Sequence, residues 1–426
     1  MSPKIAAESL PGEEAQGRGA SGEVAKKAEV VVREYNEEGD KEAVVEMERR
    51  CELDMGKKKK KKKPSLVTDL MGDPVARVRH CSIYVMLVAE DVKEGEIVGV
   101  IRGSVKTVTS GKDKALGDDF DDIPHYVKLA YVLGLRVSPT HRRCGVGTKL
   151  VQKLEEWCKH TGAEYMYMAT ECTNKASINL FTLKSDYTKF RTPAMLVQPV
   201  HAHCKPLSSS IAIATVPAEL ATSIYRCAFA NSEFFPKDID LILSNKLNLG
   251  TFMAMPKKSL PNWDPQTNVL PKCFAILSVW NSKEVFKLEV KGVSRLTYAF
   301  CAGSRVLESC APWFGLPTID IFRQFGVYLL YGLYMEGSGA SRLMKSLCTF
   351  VHNMAKDDDG CGAVVAEVGP ADPIRECIPH LKKFSWDEDF WCIKRLTRGV
   401  SQDSDTHDWI KLAPSTPVIF VDPRDF

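Results

Sequence analysis

The chain has 426 residues, 44% of them hydrophobic and 26% charged, and its 57 Lys+Arg against 54 Asp+Glu give a formal charge of +3. At ~150 residues per domain the length fits two or three domains with a sizeable core. The composition excludes a mostly disordered chain, a collagen-like fibre and a membrane transporter. Seven of the positive charges form one run, Lys57 to Lys63, and the rest of the chain is mildly acidic. That asymmetry argues against a protein that coats nucleic acid.

The 14 cysteines are spread from Cys51 to Cys392 with no CxxC pair, many of them in apolar runs such as CFAILSVW. This pattern reads as reduced core residues of a nuclear or cytosolic protein. The opening MSPKIAAESLPGEEAQGRGA carries no apolar h-region, and no stretch approaches the ~18 apolar residues of a membrane span.

Along the chain, residues 1–28, rich in Ala, Glu, Gly and Ser, are expected to be disordered. Order is expected from Glu29, with a β-rich start through Tyr35 and a helix over Asp40–Cys51. The lysine run follows as an exposed loop, because like charges repel and prevent packing. YVMLVAED, IVGVIRGSVKTV and YVKLAYVLGLRV read as strands, the last two separated by a polar insert holding Asp118, Asp119, Asp121 and Asp122. Leu150, Val151, Leu154, Trp157 and Cys158 fall on one face of a helix that Gly162 ends. A buried strand, AEYMYMAT, and a helix over 175–184 complete a first α/β unit.

After the linker QPVHAHCKPLSSS the order of elements repeats. IAIATV is a strand and AELATSIYRCAFA a helix; TFMAMP, CFAILSVWN, VFKLEV and FGVYLLYGLYM are strands. The loop EGSGAS then leads into a helix bearing Leu343, Leu347, Phe350, Val351 and Met354, and AVVAEV is a further strand. The second copy matches the first in order of elements and hardly in letters, as an internal duplication would.

The informative segment is LAYVLGLRVSPTHRRCGVGTKLVQKLEEWCKHTGAEYMYMATE. A strand ends at Val137, and Arg142-Arg143-Cys144-Gly145-Val146-Gly147 leads directly into a helix. The glycines let the backbone bend close to a ligand, several N–H groups converge at the positive end of the helix dipole, and two arginines add charge: a site suited to a pyrophosphate. Neither common phosphate motif fits. A Walker loop needs Gly-Lys-[Ser/Thr], where this chain has Gly147-Thr148-Lys149; a dinucleotide fingerprint needs a third glycine where this chain has Leu150.

What fits is R-x-x-G-x-G after an apolar strand, with Asn174 to Phe181 beyond the next strand. This resembles the GNAT family of acetyl-CoA-dependent N-acetyltransferases over residues 29 to about 195. TDLMGDP, NLFTLKSDY, FFPKDID, NKLNLGTF, CGAVVAEV, EDFWCIKRL and FVDPRDF extend the resemblance to the plant Hookless group of probable N-acetyltransferases over most of the chain. The resemblance implies an α/β fold of tandem GNAT-like domains, each a mixed, splayed central sheet flanked by helices. The expected divisions are a tail over 1–28, an acetyltransferase domain over 29–197, a linker over 198–210 and a degenerate copy over 211–426.

It also implies acetyl-CoA as cosubstrate. Leu135, Arg136 and Val137 would pair with its pantetheine. Arg142, Arg143, Cys144, Gly145, Val146, Gly147 and Thr148 would hold its pyrophosphate, with Asn174 and Phe181 completing the cofactor set. A backbone N–H near Leu135 would stabilise the oxyanion. No metal is expected. The acceptor implied is a protein amine, histone lysine or another nuclear protein among the candidates, in a nuclear regulator of hormone-dependent differential growth. Neither sequence-specific nucleic acid nor a membrane is expected as partner, and self-association is left open.

The departures are specific. Phe181 stands where the family keeps a tyrosine acid, so Tyr131 or Tyr187 or water must serve. No carboxylate lies on the Tyr126–Val137 strand, which makes Glu171, just beyond the next one, the candidate base. In the second copy, Tyr334 and Glu336 replace the loop's positive charge, so that copy is expected to bind coenzyme A weakly or not at all. These departures support the alternative of a catalytically weak or inactive interaction protein. His201, His203 and Cys204 lie too close together for a tetrahedral metal site and read as linker. The acidic insert reads as solvated surface or as an attractor of a basic substrate.

Overall fold

The computed structural model describes residues 29–58, 65–111, 124–201, 203–266, 269–291, 323–382, 384–386, 388–397, 408–411 and 416–426, with single positions at 303, 310 and 414. The expected tail over 1–28, most of the lysine run and the acidic insert lie outside the described residues.

The β-branched and aromatic runs fold as strands, and the segments of period near 3.6 fold as helices. The first half holds β1 (Val30–Glu34), α1 (Glu37–Lys58), β2 (Ser65–Asp69), β3 (Tyr84–Asp91), β4 (Ile97–Ser110), β5 (Tyr126–Val137), α2 (Val146–His160), β6 (Tyr165–Glu171), α3 (Lys175–Asn179), β7 (Thr188–Arg191) and β8 (Ala194–Pro199). The second holds β9 (Ile211–Val216), α4 (Ala218–Ala228), β10 (Glu233–Pro236), α5 (Ile239–Leu243), β11 (Asn248–Pro256), β12 (Phe274–Asn281), β13 (Lys287–Lys291), β14 (Gly326–Glu336), α6 (Ala340–Asp357), β15 (Cys361–Val368) and β16 (Asp389–Arg395).

These strands build two mixed sheets, β1-β3-β4-β5-β6-β16-β7 and β8-β15-β14-β12-β11-β9. In each, one pair is parallel: β5 with β6, and β14 with β15. Each parallel pair is joined by an amphipathic helix. Leu150, Val151, Leu154 and Cys158 of α2 are fully buried on the first sheet, and Met344, Leu347, Cys348 and Val351 of α6 on the second. At ~1.5–3 kcal/mol per buried large side chain, these stripes fix where each helix lies.

The opposite faces of the sheets meet across the segment 418–426. Ile419 packs with Tyr131, Tyr167 and Trp391 of the first sheet, and Phe420 with Tyr331 and Val365 of the second. Lys106 of β4 pairs with Asp422 at 3.1 Å and with Asp425; Arg424 pairs with Asp422 at 2.8 Å and with Asp238 at 2.7 Å.

The duplication is a matter of geometry. The ladder of β4 with β5 shifts register between Val100 and Arg102, opposite Gly134 at φ +62°; that of β12 with β14 shifts between Ile276 and Ser278, opposite Gly332 at φ +59°. Both crossover helices start from a glycine in the left-handed region, Gly145 at φ 87°, ψ −4° and Gly339 at φ 87°, ψ 4°.

Sheet membership crosses the divisions drawn along the chain. The expected boundary after residue 197 falls inside β8, and β8 pairs with β15 in the second sheet. In exchange β16 enters the first sheet between β6 and β7. β10 pairs with β4, and β2 with β13. The expected linker is held against α6: the His201 N–H donates to His352 Nε2 at 2.9 Å and the Lys205 N–H to Asn353 Oδ1 at 2.8 Å.

A first half expressed as residues 1–197 therefore lacks an interior strand. Trp391, Cys392 and Ile393 of β16 are at most 5% exposed. Each large core deletion costs ~2–5 kcal/mol, against a whole-domain stability of ~5–15 kcal/mol. The fragment should show no cooperative thermal transition by circular dichroism, and adding residues 198–426 in trans should restore one. A sharp transition in the fragment alone would show that β16 is dispensable.

Candidate functional site

The site starts where β5 and β6 part. They pair in parallel from Leu129↔Tyr165 to Val132↔Met168 and no further. Beyond that point Leu133 to Val137 keep β4 on one side and, among the described residues, have no strand on the other. The bulge at Gly134 falls in this stretch. Arg102, 1% exposed, braces it: its Nη1 donates to the Gly134 carbonyl at 3.2 Å and to Glu48 Oε1 of α1 at 3.1 Å, and its Nε to the Pro74 carbonyl at 2.5 Å. A Cβ at Gly134 would lie 2.6 Å from that Nη1. The bulge turns the backbone around Leu135 towards the open side.

Past Val137 the chain makes one short turn, Pro139–His141, and enters the glycine loop. Arg143 holds φ +65°, unusual for a residue with a side chain, and Gly145 follows at φ +87° with nothing within 4 Å of where a Cβ would stand. Strain of this kind persists where function or packing over-determines it. Arg142 Nε donates to the Val137 carbonyl at 3.2 Å, which holds its guanidinium beside the loop. The first α2 hydrogen bond of this turn is Lys149 N–H to the Gly145 carbonyl. The amides of Val146, Gly147 and Thr148 precede it at the positive end of the dipole, and the first turn has no acidic residue. Cys144 completes the loop, its Sγ 3.5 Å from the Arg142 carbonyl.

The other sequence candidates divide between the two faces of the sheet. Asn174 caps α3, its Oδ1 accepting from the Ser177 N–H at 3.3 Å. Phe181 is 1% exposed and meets Tyr187 edge-on at 5.0 Å, within the core under α2. Burial pushes the Tyr187 phenol well above its ordinary pKa. Tyr131 lies on the opposite face, stacked on Tyr167 at 4.6 Å, and burial likewise raises its phenol. Arg136 turns toward α1, 3.7 Å from Glu48 and 3.9 Å from Glu52. Glu171 is exposed at the end of β6 and accepts a hydrogen bond from Thr173 Oγ1 at 3.1 Å.

The structure thus brings Leu135 to Val137, the loop from Arg142 to Thr148, Glu171 and Asn174 around one splay, and puts Phe181 and Tyr187 behind it. Two features escaped the sequence reading. Gly134 was legible as a glycine inside an apolar strand, the usual mark of a bulge. Asp389 was not: it lies directly across the ladder from Glu171 only because β16 crosses from the second half.

The second copy keeps one of these features and alters the rest: Gly339, which starts α6 as Gly145 starts α2, also has nothing within 4 Å of where a Cβ would stand, while the loop before it is packed. A Cβ at Gly337 would lie 2.4 Å from the Lys272 carbonyl, Cys273 Sγ approaches the Ser338 carbonyl at 3.1 Å, and Glu336 stands beside the loop, bonded to Tyr334.

A family model described as the acetyltransferase (GNAT) family matches residues 42–184. Over 93% of this chain and the whole of the relative, the chain is 48% identical to a probable N-acetyltransferase HLS1 of Arabidopsis thaliana. It is 40% identical to the acetyl transferase GW6a of Oryza sativa subsp. japonica, over 93% of this chain and 97% of that protein. Among solved structures, the N-myristoyltransferase of Saccharomyces cerevisiae aligns at TM-score 0.51 and 8% identity, covering 86% of this chain and 79% of that one. A fungal glucosamine N-acetyltransferase region aligns at TM-score 0.51 and 13% identity, covering 86% and 38%. These two likenesses show the fold.

The loop's geometry predicts how it fails. Gly145→Asp forces a side chain into the left-handed region and puts a negative charge at the helix terminus, so acetyl-CoA binding measured by calorimetry should be lost. Arg142→Ala should weaken it by ~1–3 kcal/mol, the scale of a charge-assisted hydrogen bond. Binding equal to wild type in both variants would place the cofactor elsewhere.

Proposed function

Because the chain belongs to the GNAT acetyltransferase family, we propose that it transfers the acetyl group of acetyl-CoA to a protein amine, histone lysine being the candidate acceptor class, in a nuclear regulator of hormone-dependent growth. The observation that carries the cofactor is the loop from Arg142 to Thr148, open at Gly145 and set beside the unpaired edge of β5. The growth part rests on the resemblance to the Hookless group, and the nuclear part on that resemblance and on the lysine run, which with Pro64 after it resembles a nuclear import signal.

Acetyl-CoA supplies an activated thioester. The protein's residues do the rest. Amides of Val146 to Thr148, with Arg142 and Arg143, hold the pyrophosphate. The free edge of Leu133 to Val137 pairs with the amides of the pantetheine arm, as a strand would. The bulge presents the N–H near Leu135 to the oxygen where charge develops, and Arg102 keeps that donor from relaxing. A carboxylate at the splay takes the ammonium proton, with Glu171 the sequence candidate. Tyr131, its phenol raised by burial, keeps its proton and can offer a hydrogen bond to the departing sulfur without transferring that proton. The second copy, closed at Gly337 and charged at Glu336, serves as scaffold.

A second reading has its own observation. Phe181 has no hydroxyl and is sealed in the core, so the family's acid is missing. A chain that binds acetyl-CoA and transfers nothing would be an interaction module on this fold.

Titration with acetyl-CoA decides the first step: binding is expected, and none at millimolar ligand would reject the cofactor. Glu171→Gln should leave binding unchanged and lower transfer, by ~10²–10⁴-fold where it alone accepts the proton. Equal transfer would remove it from the reaction.

The lysine run tests location. Replacing Lys57 to Lys63 by Gly and Ser should leave cofactor binding intact, since the run contains no residue of the glycine loop or its strand. The nuclear fraction of a tagged variant should fall. An unchanged fraction would make the run a passive loop.

A further inference from the structure

Resting on that acetyltransferase reading, we propose that the acceptor is a cationic amine bound between the two sheets, where Asp389 of the first takes its proton and Glu367 of the second is the acid paired with it. The second half then supplies part of the acceptor site.

The placement follows from the two exchanged registers. Glu171, Asp389 and Trp391 share the face of the first sheet that carries Tyr131 and Tyr167, since Asp389 lies opposite Glu171 and Trp391 opposite Ala169. The rings of Tyr131 and Tyr167 stack at 4.6 Å, and Trp391 lies 5.4 Å from Tyr167, so aromatic surface runs from the parted strands to the carboxylates. Glu367 stands on β15 just past Ala366, the last residue paired with β14, at the mouth of the second splay. It shares the face of Ala363 and Val365, whose cluster includes Phe420 and Ala76 of the first half.

What points to a ligand is three buried carboxylate oxygens without a hydrogen-bond partner among the described residues, Glu367 Oε1, Asp389 Oδ1 and Asp425 Oδ1; Trp391 Nε1, which has no well-formed hydrogen bond either, faces Glu367 and favours its charged form, as Trp386 does for Asp389. Glu367 is 8% exposed and Trp391 5%. Such groups are costly unless something satisfies them. An ammonium is three donors with one positive charge, complementary to a site of carboxylates and aromatic rings.

The electrostatics separate the two carboxyls. Burial, then the charge of Asp389, pushes Glu367 well above the ordinary carboxylate range. Burial, then the nearby Glu171, raises Asp389 to about 6. The other charged and titratable groups facing the pair are Asp425 with its partner Lys106, Arg77, Tyr131 and Tyr167. Glu367 thus holds its proton more tightly than Asp389, and of the two Asp389 ionises first. An ammonium N–H bond breaks, its electron pair stays on nitrogen, and the proton goes to the Asp389 carboxylate. The free amine forms the C–N bond at the thioester carbonyl, the C–S bond breaks, and the thiolate takes the surplus amine proton.

The test uses the full chain with a random-sequence peptide pool bearing free α- and ε-amines, following released coenzyme A thiol. Calorimetry with acetyl-CoA runs in parallel: equal binding in wild type, Asp389→Asn and Glu367→Gln is expected, and no binding in wild type overturns the cofactor reading, not the pair. The wild-type pH profile of transfer should be bell-shaped, rising as Asp389 ionises and falling as Glu367 loses its proton. Asp389→Asn should lose ~10²–10⁴-fold in rate and the acidic limb. Glu367→Gln should keep the acidic limb and lose the alkaline fall, a change that a packing defect would not produce. A Glu367→Gln profile identical to wild type overturns the pair; bound acetyl-CoA with no transfer to any amine overturns the acceptor class. If Glu367→Gln fails to fold, Trp391→Phe, which removes Nε1, takes its place, and unchanged transfer there overturns the site.

Discussion

A strand cannot leave its neighbour without exposing a row of amides and carbonyls, and the candidate site of this chain is built on one such departure. β5 and β6 stop pairing after Val132 and Met168, so Leu133 to Val137 need partners from outside the sheet. The fold keeps that edge in place instead of letting it collapse. Arg102 crosses the sheet beneath it, held by Glu48 and by the carbonyls of Pro74 and Gly134. A guanidinium buried to this degree is costly unless several acceptors meet it, and here three do. The brace carries little net stability by itself; its effect is to fix the bulge, and with it the amide near Leu135.

The same departure occurs in the second sheet with a different outcome. β14 leaves β15 after Leu330 and Ala366, and Gly332 repeats the bulge. Its loop is packed against Lys272 and Cys273, and Glu336 lies where the first copy has no negative charge. One duplicated geometry thus carries an arginine-rich loop in one copy and a packed, acidic loop in the other. The segment from Val418 to Phe426 joins them. Burial works against the charge on Asp422, but Arg424 and Lys106 outweigh it and hold the carboxyl below its ordinary range. Because the folded value lies below the unfolded one, this contribution is complete above the ordinary carboxylate pKa and fades as pH falls beneath it.

Local chemistry was legible in the letters, and partnership was not. The glycines of R-x-x-G-x-G, the apolar strand before them and the stripe from Leu150 to Cys158 each announce a geometry within a few residues. The residues from Asp389 to Arg395 announce only a strand. Period-2 alternation says which faces a strand has, not which strands it will lie beside, and adjacency in sequence favoured the second sheet. Asp389 therefore read as an ordinary acid near the end of the chain. The same blindness hid Glu367, whose letters, AVVAEV, show a charge in a buried strand without showing what it faces.

The exchange of β8 and β16 sets an order of events during synthesis. β6 emerges from the ribosome long before β16 is made, so the first sheet waits with an open interior edge beside Met166 and Met168. Open edges of this kind invite pairing with other chains. Glu164 is satisfied on the β5 side, its carboxylate accepting the Lys128 N–H at 2.9 Å, but on the open side its own carbonyl waits for the Leu396 N–H. The nascent chain must therefore be guarded until nearly its whole length is available, and neither half is free to evolve, or to be grafted, as a module of its own.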